Sequence, residues 1–249
     1  MGGFPTSFFS FPLNLILLAG WILGCSLLWS HCRKSLIVRF FLSMTGTIFS
    51  VCAFLIVCLV IGFTGNRDIA CSWVFVCIML LLQTVLLFVI MRGWREQTAT
   101  GARLGAVRWR FLLLHLGLLV ALGSAFWGAP DVQTLRMKAV ADIPIREAYQ
   151  MDGKQEWLSY DIVLKDFDQS SYEALVEVDG KVAQIKVNHP YSRTLCEDVY
   201  LMGYDERGCV LEIVREPWKY GTMAGIAMLL AGALLLFLRG PQRQRCVND

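Results

Sequence analysis

Apolar residues fall in long, nearly unbroken blocks along most of this chain, and alternate with polar ones in one stretch late in the sequence. A helix that crosses a bilayer needs roughly 20 mostly apolar residues. Five blocks meet that need: Leu13–Ser30, Leu36–Phe63, Ser72–Met91, Phe111–Gly128 and Tyr220–Leu238. None has Asp, Glu or Lys in its apolar centre, and the only arginine inside any of them is Arg39, near the start of the second. A charge at the bilayer centre costs at least about 2.5 kcal/mol on insertion scales, so lipid burial requires this pattern.

The alternating stretch lies between the fourth and fifth blocks. Leu158, Tyr160, Ile162 and Leu164 have mostly polar neighbours, and Ala174, Val176 and Val178 repeat the period of a half-buried strand. Asp179-Gly180 follows, then Lys181–Val187, which predicts a hairpin with Glu173 opposite Lys186. A second hairpin is predicted from Val199 to Val214, turning at Asp205-Glu206-Arg207-Gly208. It leads through Pro217, whose missing donor suits a helix start, into the fifth helix. The pattern predicts an α-helical integral membrane protein with about five transmembrane helices. A small extracytoplasmic antiparallel β domain sits between helices 4 and 5. The expected parts are 1–128 with four helices, 129–217 as the β-rich domain, and 218–249 as the last helix and a cytoplasmic tail.

Composition agrees: 56% of residues are hydrophobic and mean hydropathy is +0.53, both high for a soluble domain. The first block has no basic residue before it and no small-residue cleavage site after it, so it reads as a retained helix. Ile22-Leu23-Gly24-Cys25 only faintly suggests a lipoprotein site. Charge then sets orientation. Arg33, Lys34 and Arg39 lie between the first two blocks; Arg92, Arg95, Arg103, Arg108 and Arg110 lie between the third and fourth; Arg239, Arg243 and Arg245 lie in the tail. The other short flanks offer only Arg67 and Lys219. The positive-inside rule places the three basic segments in the cytoplasm, the N-terminus outside and 129–217 outside. Trp29, Trp73, Trp94, Trp109, Trp127 and Trp218 all fall near block ends, as an aromatic belt does. Residues 129–217 hold 10 Lys and Arg against 17 Asp and Glu, an acidity that argues against nucleic acid as a partner.

Three histidines are candidates for chemistry. His115 lies in the fourth block among Phe111, Leu112, Leu118 and Leu119. An ionisable group inside a span is a functional candidate by default, here as an axial ligand for haem iron. An interhelical hydrogen bond is the competing reading. His189, in Val187-Asn188-His189-Pro190, is a weaker cofactor-binding candidate, and composition favours an exposed turn residue there. His31 beside Arg33 and Lys34 reads as a headgroup-level residue. The nine cysteines form no CxxC or CxxCH, so neither paired-cysteine metal binding nor covalent haem attachment is supported. Cys25, Cys52, Cys58 and Cys77 read as packing residues, while a disulfide between Cys196 and Cys209 stays open. Gly221 and Gly225 form a GxxxG step, and Gly117, Ala121 and Ala125 a small-residue stripe, both suited to close helix packing. Gln83 is expected to hydrogen-bond to a neighbouring helix. No phosphate loop, Ser-His-Asp order or dense carboxylate cluster marks an enzyme.

Two segments carry a family resemblance. One comprises Ile185-Lys186-Val187-Asn188-His189-Pro190, then Val199-Tyr200-Leu201-Met202-Gly203-Tyr204-Asp205, a strand and a terminal helix. The other is Phe111-Leu112-Leu113-Leu114-His115-Leu116-Gly117-Leu118 with Asp131-Val132-Gln133-Thr134-Leu135-Arg136-Met137 after it. Together they resemble ResB, the system II cytochrome c biogenesis component, and most of all its shorter Bacteroidetes type. The resemblance runs from Phe111 to the C-terminus and reaches the first three helices by topology alone. It implies a bacterial inner-membrane subunit that pairs with a CcsA-type (ResC) partner. Such a subunit carries haem b outward and presents it to apocytochrome c for thioether attachment, without being catalytic alone. On this pattern His115 matches the intramembrane histidine that ligates haem. Two features depart from it: the outer domain is short, and Leu195-Cys196-Glu197-Asp198 stands where a glycine-containing turn is usual. The alternative is a membrane-anchored binding or assembly module with no haem role. A membrane redox enzyme normally needs two facing histidines, and only one lies clearly inside a helix.

Overall fold

The structure, a computed structural model, describes residues 3–99, 109–168, 170–205 and 208–239. Arg103, Arg108, Arg243 and Arg245 of the basic segments, and Glu206 and Arg207 of the second predicted turn, lie outside the described residues. The chain forms two compact units, Met1–Pro130 with Tyr220–Asp249, and Asp131–Lys219.

The first unit is helical: α1 (Leu13–His31), α2 (Leu36–Phe41), α3 (Met44–Thr64), α4 (Trp73–Ala99), α5 (Trp109–Gly128) and α6 (Lys219–Arg239). Five of these, all but α2, are long and apolar enough to cross a membrane, the mark of a multi-pass membrane protein. A helix is the form such segments take because lipid offers the backbone no hydrogen-bond partners.

The second apolar block is not one helix. Ser43 is extended (φ −78°, ψ 153°), and its hydroxyl accepts from the Gly46 N–H to start α3. Ser35 caps α2 in the same way through the Val38 N–H. The fold-back brings the Phe40 carbonyl onto Gly46, where a Cβ would collide with it. Arg39 therefore belongs to the short α2, and the span itself is free of charge. Gly65 ends α3 in the left-handed conformation (φ 64°), which its missing Cβ permits.

The two small-residue stripes meet each other. Gly117 of α5 lies against Gly225 O of α6, and a Cβ there would be 2.9 Å from that oxygen and 3.0 Å from Leu229 N. A Cβ on Gly225 would strike the Ala121 backbone nitrogen, and one on Gly221 the Ser124 hydroxyl. The seam on α5 thus runs Gly117, Ala121, Ser124. The expected third member, Ala125, instead lines a cavity.

The second unit is one eight-stranded antiparallel sheet: β1 (Gln133–Ala139), β2 (Ile145–Gln150), β3 (Gln155–Asp168), β4 (Glu173–Val178), β5 (Lys181–Lys186), β6 (Tyr191–Thr194), β7 (Glu197–Asp205) and β8 (Gly208–Arg215). Its order is β5-β4-β3-β2-β1-β8-β7-β6. The two outermost strands are consecutive in the chain, joined through a tight Lys186–His189 turn, and Ile185 of β5 shares a single core with Val199 of β7. That core takes Leu158, Tyr160, Ile162 and Leu164 from β3, and Ala174, Val176 and Val178 from β4. Leu135, Met137, Ala148 and Ile185 join it from β1, β2 and β5. The Asp179-Gly180 turn has positive φ at both residues (54° and 72°), which the Asp-Gly pair tolerates. It sets Glu173 opposite Lys186, and the two form an ion pair.

The structure does not bring Cys196 and Cys209 together, and no disulfide joins them. Glu197, next to Cys196, pairs with Arg215 at one end of the β7–β8 ladder, while Cys209 pairs with Tyr204 at the other. Six residues of strand at ~3.3 Å each separate the two levels by about 20 Å, far beyond the ~7 Å a disulfide spans between Cα atoms. Dithiothreitol should therefore leave the melting temperature of the purified protein unchanged. A drop of several degrees would reveal a bridge, since losing a native disulfide costs about 2–5 kcal/mol.

Candidate functional site

His115 occupies the second turn of α5 and is half-buried. Its Nδ1 lies 2.9 Å from the Phe111 carbonyl one turn earlier. A carbonyl oxygen only accepts, so Nδ1 carries the proton and, in the neutral ring, Nε2 holds the lone pair. A backbone carbonyl bound to the far nitrogen is the usual arrangement behind a metal-ligating imidazole. The ring also packs on Phe111, with centroids 4.2 Å apart and planes 31° apart. Phe111 in turn covers Gly93 of α4, where any Cβ would strike its ring. Helix α4 thus fixes Phe111, and Phe111 orients His115. Gly93→Leu should displace both rings. The expected result is a changed His115 resonance in histidine-labelled protein with α5 still helical, and an unchanged resonance would sever this link.

Further along α5, polar side chains tie three helices together. Trp127 Nε1 donates to Gln83 Oε1 of α4 (3.0 Å), and Asn14 Nδ2 of α1 donates to the Trp127 carbonyl (2.9 Å). Trp21 Nε1 of α1 donates to the Thr84 hydroxyl (3.2 Å). Gln83 is fully buried, and among the described residues its Nε2 is the buried side-chain polar atom without a partner. The hydrogen bond expected of Gln83 is therefore made through its oxygen alone.

The remaining candidates lie elsewhere. His189 is exposed and follows the tight Val187-Asn188 turn, in which Asn188 has φ 61°; its backbone pairs with Lys186 in both directions. His31 is the exposed last residue of α1, close to the Arg33 guanidinium stacked 4.3 Å over Trp29. Among the described residues, no group of three or more His, Cys, Asp or Glu has the arrangement to hold a metal ion.

The β unit contains a buried charge cluster that sequence patterning did not reveal. Glu197 is 4% exposed. Its Oε1 accepts from the Tyr160 hydroxyl (2.7 Å) and Arg193 Nε (2.5 Å), and its Oε2 from Arg215 Nε (2.7 Å). Arg215 also reaches Glu156 (2.6 Å), and the Arg193 guanidinium stacks 4.0 Å over the Tyr160 ring. Burial alone would raise the Glu197 pKa, but hydrogen bonds from Tyr160, Arg215 and Arg193 outweigh it and hold the carboxyl below its usual value. Burial, then the bond to Glu197, pushes the Tyr160 hydroxyl well up. Nearby, Asp198 takes Ser192 and Lys219, and Trp218 Nε1 donates to Asp131 (2.7 Å). Both carboxylate oxygens of Glu197 are engaged, so the cluster holds β3, β6, β7 and β8 in register.

One signal in the sequence bears on this cluster. A hairpin closing at Asp205 and Gly208 without irregularity sets Glu197 opposite Glu216. A bulge between Leu201 and Gly203 shifts the register by one and puts Arg215 there instead.

Fold and site together define a multi-pass membrane protein with an antiparallel β unit and one oriented imidazole inside a spanning helix. No protein-family model and no curated protein matches the chain.

Proposed function

We propose that the chain is a ResB-like subunit of a system II cytochrome c biogenesis complex. It passes haem b across the bacterial inner membrane and presents it with apocytochrome c to a CcsA-type partner. The observation that carries the reading is His115, half-buried in a spanning helix, with Nδ1 held by the Phe111 carbonyl and Nε2 left as the lone pair. The resemblance around Phe111–Leu118 and Ile185–Asp205 supports it. In this reading the N-terminus and residues 129–217 lie outside, and the tail is cytoplasmic.

The residues present fit haem iron through one ligand. His115 supplies one axial nitrogen, and a second must come from the partner subunit, since the other histidine of a spanning helix, His31, is the exposed last residue of α1. Haem is the cargo here, and its vinyl groups supply the electrophiles for apocytochrome thiols. The chain's own work is positional: Phe111 and Gly93 fix the imidazole, and the protein makes no covalent chemistry alone.

The test is the absorption spectrum of the detergent-purified complex, co-expressed with its CcsA-type partner, with and without His115→Leu. The expected result is a Soret band that falls by about ten-fold or more in the variant while the complex stays assembled. A colourless wild-type complex, with c-type cytochromes still maturing after deletion of the gene, would sink the proposal and leave a membrane-anchored binding or assembly module.

A further inference from the structure

The helical unit contains a cavity of about 580 Å³ at the end of the bundle where α1 and α4 begin and α5 ends. That volume lies within the range of small-molecule sites. Aromatic rings form much of its wall, including Trp21, Trp73, Phe75, Phe126 and Trp127. The indole N–H groups of Trp21 and Trp127 are both bound to α4 side chains, which fixes these two rings, 6.3 Å apart, beside the space. The N-terminal segment completes the wall: Phe4 N–H donates to the Cys71 carbonyl (2.6 Å), and its ring stacks on Phe9 and meets Trp73 edge-on.

The lining selects an occupant by charge. No Asp, Glu, Lys, Arg or His lines the cavity among the described residues, so the lining suits a neutral occupant. Haem is a poor match, since neither a histidine nor a cation for its carboxylates is present. His115 is twelve residues from Trp127 on α5, about 18 Å along the helix, so the two places are separate. Ordered ring faces suit a flat partner better than an acyl chain. The hydrogen-bonding capacity nearby points to an acceptor. Thr6 contributes a hydroxyl, a hydrogen-bond donor, to the lining. A carbonyl oxygen is the complement of a hydroxyl donor in an otherwise apolar lining.

We propose that this cavity binds the ring of a membrane quinone: neutral, planar, lipophilic and bearing carbonyl acceptors. The site is independent of the haem reading.

The experiment uses the full-length protein in detergent, with decylubiquinone as the probe. Two readouts apply, the shift in melting temperature with probe concentration and photolabelling by an azido derivative followed by peptide mapping. Saturable stabilisation is expected, with labelling confined to peptides that contain Trp21, Phe75 and Trp127. Ala125→Phe, which fills the cavity from a position outside the α5–α6 seam, should abolish both effects. Leu17→Trp fills it from α1 and serves if Ala125→Phe does not fold. Thr6→Val should weaken binding by about ten-fold with the cavity left open. The proposal is overturned by an unsaturable shift, or by labelling spread evenly over all helices. It is equally overturned if native mass spectrometry finds a phospholipid held by the wild type and released by Ala125→Phe.

Discussion

Replacing Glu197 by alanine should cost the β unit about 3–5 kcal/mol, a large share of the stability of a domain of this size. The carboxylate is 4% exposed and accepts from Tyr160, Arg193 and Arg215, so its loss leaves two guanidinium groups without their shared counter-charge. Those groups keep some contact with solvent (side chains 22% and 27% exposed), which pulls the expectation toward the lower end. Tyr160→Phe removes a single donor and keeps the ring under Arg193, so it should cost only about 1 kcal/mol. Hydrogen exchange of peptides from β7 and β8 reads both changes locally. Protection in the alanine variant equal to the wild type would remove the cluster's structural role.

The same group gives a pH dependence of definite sign. The Glu197 pKa is lower in the folded protein than its ordinary value of 4.5. The stabilisation is therefore complete above that value and is lost as pH falls through the folded pKa. The melting temperature of the β unit should drop on acidification below about pH 4.5. Glu197→Gln should flatten that slope.

Gly225→Leu should pull α6 away from α5. A Cβ at Gly225 meets backbone on every side: Ala121 N, Ala121 Cα at 2.7 Å and Gly117 O at 2.7 Å. Backbone has no rotamer to change, so the helices must separate and lose the packing along Gly117, Ala121 and Ser124. Overpacking in a tight core costs about 1–3 kcal/mol, and in lipid this seam depends on such close approach. The SDS mole fraction at half-unfolding should fall well below that of the wild type. Gly123→Leu, at a glycine with nothing within 4 Å of its would-be Cβ, should leave it unchanged.

Much of the architecture could be read from the chain because lipid imposes long, uncharged helices. Apart from the start of α3, the spans begin at breaks visible in the sequence. The Asp179-Gly180 hairpin was legible for a local reason: two residues that accept positive φ fix the register of the strands on either side. β1, β2 and β6 were not legible as strands: β1 pairs along its whole length with β8, far away in the sequence, β2 buries only Ala148, and β6 is very short. The elbow at Ser43 was missed because Leu42-Ser43-Met44 interrupts hydropathy by a single residue. It is a capping bond, with a missing Cβ at Gly46, that breaks the helix.

The candidate site divides in the same way. The sequence alone marked His115 as the histidine clearly inside a span and paired the two small-residue stripes with close packing. Each follows from residue type and the length of one element. Tertiary structure alone decided which imidazole nitrogen keeps its lone pair, because that depends on where Phe111 O lies and on Gly93 beneath the ring. It alone separated Cys196 from Cys209 and set Arg215 opposite Glu197, through one bulge that displaces the register by a single residue. Local pattern shows which face each residue of a strand occupies. Which residue lies across from it depends on every irregularity between them, and that is settled only when the sheet closes on its core.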